Sequence, residues 1–163
     1  MSDFDAFNAT LATGTPDAIY TALGTLTEKV VGAKLFTLLT FDAKEGIAQR
    51  FYSNMPDAYP VSGTKPRPVS QWAETVLDRG ETYVMNDIAA IEEVFFDHEL
   101  IQSLGCESCI NIPVIVAGEV LGTMNCLHEA GHYTPDRVAL SESLKLPGAA
   151  CFLLARAKAA GAI

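Results

Sequence analysis

Positive charge is scarce in this 163-residue sequence: 11 lysines and arginines stand against 20 aspartates and glutamates, a formal charge of −9. Such a chain has no electrostatic footprint for phosphate backbones, which argues against nucleic acid and anionic membranes as partners. No secretory signal is expected either. "MSDFDAFNAT" has neither a basic start nor an apolar stretch, which predicts a cytoplasmic protein whose four cysteines, Cys106, Cys109, Cys126 and Cys151, stay reduced. The longest strongly apolar run belongs to the C-terminal helix and reads as too short to span a bilayer. Internal repeats, low-complexity tracts and linkers are all absent, so residues 1–163 read as one domain.

What is abundant is apolar side chain, 49% of the total. For a chain of this size, that excess implies that a second subunit covers part of the surface. Helix signals are clear. Thr15-Pro16-Asp17 opens one helix, which Gly32 stops, and Thr134-Pro135-Asp136 opens the last one. Pro147-Gly148 is expected to break or kink that last helix before it continues. A short helix is expected from about Asp3 to Leu11. Further helices are expected after Ser70, ended by Gly80, and after Asp97, ended by Gly105. The terminal helices then occupy about 1–31 and 134–160.

Strand patterns fill the intervals. "KLFTLLTFD" and "IAQRFYS" form one hairpin around Asp42 to Gly46. "ETYVMND" is a third strand, and "SCINIPVIV" with "EVLGTMNCLHE" forms a second hairpin around Ala117-Gly118-Glu119. This order of elements defines an α+β domain with a central antiparallel sheet and helices on its faces.

The stretch "GCESCINIPV" raises the question of zinc or redox chemistry, and side-chain parity addresses it. Ile110, Ile112, Val114 and Val116 alternate with Cys109, Asn111, Pro113 and Ile115. Matching character to character places Met124 and Cys126 with the isoleucines, and Thr123 and Asn125 with Asn111. The match depends on the turn length, because one residue more or less, or a bulge, reverses it. If it holds, Cys109 and Cys126 lie on opposite faces and cannot share an ion. The C-x-x-C also follows a helix C-terminus, where the dipole opposes a thiolate. The thiols therefore read as small apolar or pocket-lining groups, with no metal and no cofactor implied.

The order of elements, together with "GETYVMNDIA", "FFDHELIQSLGCESC", Ile112-Pro113 and Leu121-Gly122, resembles the GAF domain family over about Pro16 to Leu154. The resemblance implies a small-molecule sensing or dimerising module. Its pocket would lie on the Asn111, Thr123 and Asn125 face, and its terminal helices would cover the other face. Among stand-alone enzymes of this fold, the free methionine sulfoxide reductases are the nearest comparison. Their nucleophilic cysteine falls at Gln102 here, and their acidic pocket residues fall at Cys109, Asn125 and Leu127. Cys106 or Cys109 would have to replace the nucleophile. Bilin attachment is not supported, since no Cys-His dipeptide occurs.

The candidate ligand-binding set is therefore Trp72, Met85, Phe96, His98, Cys109, Asn111, Thr123 and Asn125. Each has a structural alternative. Trp72 is a stacking wall or a core anchor, and His98 is an acid–base group or a solvated first-turn residue. Asn111 and Asn125 are the strongest, because a mid-strand amide on a covered face needs partners. Phe51, Tyr52, Met85, Phe95 and Phe96 line a cavity or simply pack. Lys65 and Arg67, in a loop broken by proline and glycine, either close over an anionic ligand or remain solvated. His128 and His132 read as surface groups satisfying local backbone.

The reading that follows is a homodimeric sensor joined through the C-terminal helix, at Leu144, Leu146, Phe152, Leu153 and Leu154. A thiol-dependent reductase and a purely structural dimerisation module are the rivals.

Overall fold

The computed structural model describes all 163 residues. Two helices come first, α1 (Asp3–Thr13) and α2 (Pro16–Val30). The strands β1 (Leu35–Asp42) and β2 (Ile47–Ser53) follow, then a two-residue β3 (Lys65–Pro66). Helix α3 (Gln71–Ala73) runs on as a π-helical turn over Glu74–Asp78. After it come β4 (Tyr83–Met85), α4 (Ile88–Val94) and α5 (His98–Ser103). The hairpin β5 (Ser108–Val116) and β6 (Glu119–His128) precedes α6 (Pro135–Ser141) and α7 (Lys145–Ala159).

All strands pair antiparallel in one six-stranded sheet, ordered β3-β2-β1-β6-β5-β4. The N-caps fall where the sequence puts them. Thr15 and Thr134 each accept a backbone N–H, with proline in the first turn behind them. The hairpin turn is the two residues Ala117-Gly118, at φ 51° and 80°, so Val116 faces Glu119. The turn alone would set Ile110 opposite Asn125, but a bulge between Val114 and Ile115 shifts the register by one residue, so that Ile110 faces Cys126, Asn111 faces Asn125 and Ile112 faces Met124.

One face of the sheet is sealed by α1, α2, α6 and α7. Ile110, Ile112, Val114, Met124, Phe36 and Leu38 meet Phe7, Leu23, Leu26, Leu144, Cys151 and Phe152 there in a cluster of 18 buried residues. Two glycines allow the helical layer to approach. A Cβ on Gly122 would strike the Leu39 carbonyl oxygen and the Phe152 ring, and one on Gly148 would lie 2.7 Å from the Met124 sulfur.

Several expectations need correction. Helix α4, capped by Asp87, lies in a stretch read only as connection, and α1 runs two residues further than expected. Pro147 interrupts the last helix upstream of itself and not beyond it. Lacking an N–H for the Ser143 carbonyl and crowding it, it is preceded by a 3-10 turn at Glu142–Leu144, and it then sits in the first turn of α7. The whole Pro135–Ala159 stretch is 25 residues with an 18-residue window of mean hydropathy 1.4, which by length and composition suffices to cross a membrane. Its inner side packs Leu144, Cys151 and Phe152 into the sheet core. Leu144 and Phe152 are therefore spent within their own chain, and the apolar residues facing outward are Leu140, Leu146 and Leu153.

Candidate ligand-binding site

The opposite face of the sheet is only partly covered. A smaller cluster of 8 buried residues, including Leu35, Met85, Ile91, Ile101 and Leu127, anchors α4 and α5 at one end. Beside it lies a cavity of about 470 Å³ between β1, β2, β5 and β6 below, and α3, the β2–β3 segment and the Val94–Asp97 link above.

Its floor is a row of amides set by register. Thr37 of β1 pairs with Asn125 of β6, which pairs with Asn111 of β5. Asn111 Nδ2 donates to Asn125 Oδ1 at 2.7 Å, and Asn125 Nδ2 donates to Thr37 Oγ1 at 3.3 Å. Trp72 Nε1 donates to Asn111 Oδ1 at 2.9 Å, tying α3 to the floor, and the Cys109 thiol lies 3.8 Å from the same oxygen. A net hydrogen bond of this kind is worth about 1 kcal/mol, but a buried amide stripped of its partners costs about 1–3 kcal/mol. The row is thus a polar floor held in one arrangement.

The walls are apolar and aromatic on one side and basic on the other. The Trp72 and Phe95 rings meet edge-on at 6.2 Å. Phe96 stands at the mouth, 87% exposed, with the Lys65 ammonium 5.9 Å above its ring. Arg50 of β2 lies over the Tyr59 ring at 5.0 Å, and the Tyr59 hydroxyl donates to Asp97 Oδ2 at 2.6 Å. Burial and that bond to Asp97 push the phenol well above its usual range. Arg67 is paired with Asp78 at 2.6 Å.

Of the candidate residues, Trp72, Phe96, Cys109, Asn111, Thr123 and Asn125 line this cavity. Met85 and His98 do not. Met85 is packed within the smaller cluster, and His98 turns toward Glu92 at 3.9 Å. Phe51 and Tyr52 face the helical layer, where Phe51 packs on Tyr20 and Phe152, because a bulge at Leu38/Leu39 shifts the register of β2. Asp97 precedes α5 without capping it, since its carboxylate is engaged by Tyr59.

Arg50, Tyr59 and Asp97 were missed. The alternation Ala48, Arg50 in "IAQRFYS" was the available signal for Arg50. The Tyr59–Asp97 bond joins loops 38 residues apart and left none.

No thiol is prepared for attack. Burial pushes Cys106 and Cys109 above the ordinary thiol range. His128, Glu129 and His132 bring ligand atoms within 4.8 Å of one another. The two imidazoles, however, stack at 3.6 Å with planes 10° apart, so no point lies in both ring planes where a shared ion would bind. His132 Nε2 instead donates to the Val31 carbonyl, and His128 Nδ1 accepts from the Glu129 N–H.

The GAF domain family model matches residues 16–144, and the chain belongs to that family. Its members are commonly sensory or regulatory ligand-binding domains. No curated protein matches the sequence. Among solved structures, the GAF domain of an Acinetobacter phosphoenolpyruvate-protein phosphotransferase superposes with a TM-score of 0.72 at 13% identity, covering 100% of both chains. The corresponding domain from Coxiella burnetii gives 0.71 at 18%, over 99% of this chain and 95% of that one. The chromophore-binding domain of a bacteriophytochrome from R. palustris gives 0.65 at 11%, over 99% of this chain and 61% of the other.

Proposed function

We propose that this GAF domain is a cytoplasmic sensor or regulatory module that binds a small molecule in the cavity above the Thr37–Asn125–Asn111 row and acts as a homodimer. The observation that carries the reading is the cavity itself. It is floored by amides of fixed orientation, walled by Trp72 and Phe95, and of a size typical of small-molecule sites. One solved neighbour of this fold is itself a chromophore-binding domain.

The mechanism is a population shift. Asn111 Oδ1 holds Trp72 and faces the cavity, so a ligand group donating to that oxygen competes with the indole. Such competition biases α3 and the segment 54–68, whose strand β3 is held by only two pairs, Ile47 with Pro66 and Ala48 with Lys65. On the same strand, Ile110 and Ile112 lie under the terminal helices, which carry the change outward. The outer side of the last helix, with Leu146 81% exposed, is the dimer surface.

The buried thiols give the reductase alternative no support.

A native mass spectrum tests the proposal. It is expected to show a dimer carrying a discrete non-covalent mass, which Trp72→Ala loses. A monomer at tens of micromolar by light scattering removes the dimer. An unliganded spectrum, with no thermal shift from any compound in a metabolite panel, removes the ligand-binding reading.

A further inference from the structure

The cavity wall is basic although the chain is strongly acidic, and its charged residues differ in what they already hold. Arg67 is neutralised by Asp78 at 2.6 Å, and Lys65 stands in solvent above Phe96. Asp97, the only carboxylate among the lining residues, accepts the Tyr59 hydroxyl. Arg50 is different. No carboxylate lies within 4.0 Å of it. Its Nη1 donates to the Pro60 carbonyl at 3.1 Å, while its Nε is buried with no acceptor from the protein. Nε is enclosed by the protein, so the donor left both accessible and without a protein acceptor is Nη2–H. A guanidinium N–H of this kind makes a charge-assisted hydrogen bond to a carboxylate oxygen.

We infer that the ligand is a monoanionic carboxylate on an apolar or aromatic body, its carboxylate held by the Nη2–H of Arg50. The inference rests on the cavity being a ligand site and adds the chemical class. Charge matching favours a monoanion. Arg50 is the one half-buried cation in the wall without a carboxylate partner, Lys65 being exposed at the mouth, and Asp97 stands close enough to disfavour a second negative charge. Partial burial, which lowers the guanidinium's pKa, leaves the cation with more to gain from an anion than a solvated one.

Register sets the length of the body. Arg50 pairs with Leu39, and Leu39 with Thr123, beside the amide row. Two strand spacings put the head roughly 10 Å from the polar groups of β6. Leu39 lies between them, and Trp72 and Phe95 wall the same cavity for an apolar frame.

The test uses 3-(indol-3-yl)propanoate, its primary amide, its methyl ester and a phosphonate analogue, titrated calorimetrically into the wild-type protein, Arg50→Met and Arg50→Lys. The acid is expected to bind the wild type more tightly than amide or ester by roughly tenfold or more. Arg50→Met should erase that preference, and Arg50→Lys should keep part of it by charge alone. Equal binding of acid and amide to the wild type overturns the inference while leaving the pocket reading intact, and so does an acid affinity unchanged in Arg50→Met. A phosphonate that binds more tightly than the acid overturns the choice of carboxylate. If no compound of the series binds at about 1 mM and the native spectrum shows no ligand, both readings fall. Should Arg50→Met not fold, the acid, amide and ester comparison on the wild type decides alone.

Discussion

The two faces of the sheet are built from alternate residues of the same strands, yet they are different materials. On the helical face, Ile110, Ile112, Met124 and Cys126 are fully buried against α2 and α7 in a cluster of 18 residues. On the other, Asn111, Thr123 and Asn125 are nearly as buried, at 2%, 4% and 7% exposure, but they border a cavity. Similar burial therefore does not mean similar packing. The first face is held by close-packed hydrocarbon, which is non-directional and sensitive to volume. The second is held by directed hydrogen bonds, which keep a polar surface in place without filling the space above it.

The largest predicted effect lies on the packed face. Phe152 is 1% exposed, packs edge-on against Phe51 at 5.0 Å, and touches the site where Gly122 has no side chain. Phe152→Ala should cost about 3–5 kcal/mol, read as a lowered urea midpoint, while leaving the cavity's own residues in place. If the loss is below about 1 kcal/mol, the helical layer is not the stabilising one and the contrast between the faces is wrong.

Asn111→Ala should come next, at about 1–3 kcal/mol. The substitution removes no large apolar volume. It orphans the Trp72 N–H and takes the hydrogen bond from Asn125 Oδ1. Removing Asn125 as well should cost less than the sum of the two single changes, because both break the same bond. Strict additivity in a double-mutant cycle would show that the two amides act independently. Trp72→Phe is smaller again, about 1 kcal/mol, since the ring remains and one hydrogen bond goes. Hydrogen exchange should then rise across Ser70–Asp78 and stay flat in α2 and α7 if the indole N–H is the tie that holds α3 down.

The two faces were also unequally legible in the sequence. The packed face follows from alternation alone, because Ile110, Ile112 and Val114 admit one orientation, and the floor follows as its complement. The wall was harder to read for two reasons. The bulge at Leu38/Leu39 breaks the period of β2, so Phe51 and Tyr52 turn to the helices. Tyr59 and Asp97 meet only through tertiary structure, and the same meeting draws Asp97 away from the cap that its position suggested. Short-range signals placed caps, turns and strand faces. They could not place a side chain whose partner comes from another loop.

The smallest predicted effect concerns a property in which the faces should agree. Burial raises the pKa of Cys109 on the cavity side and of Cys126 on the packed side, and it pushes Cys151 up to about 12. A thiol whose folded pKa is raised contributes stability that is fully present below its unfolded value, near 8.5. That contribution is lost as pH climbs toward the folded value. By pH 8.5 each such thiol should have withdrawn about 0.4 kcal/mol relative to pH 7, seen as a falling urea midpoint. Cys109→Ala and Cys126→Ala should each remove the same share of that decline. If only Cys126→Ala does, water reaches the Cys109 thiol through the cavity in the free protein. The cavity side would then be hydrated down to its floor, and a ligand would have to displace that water to bind.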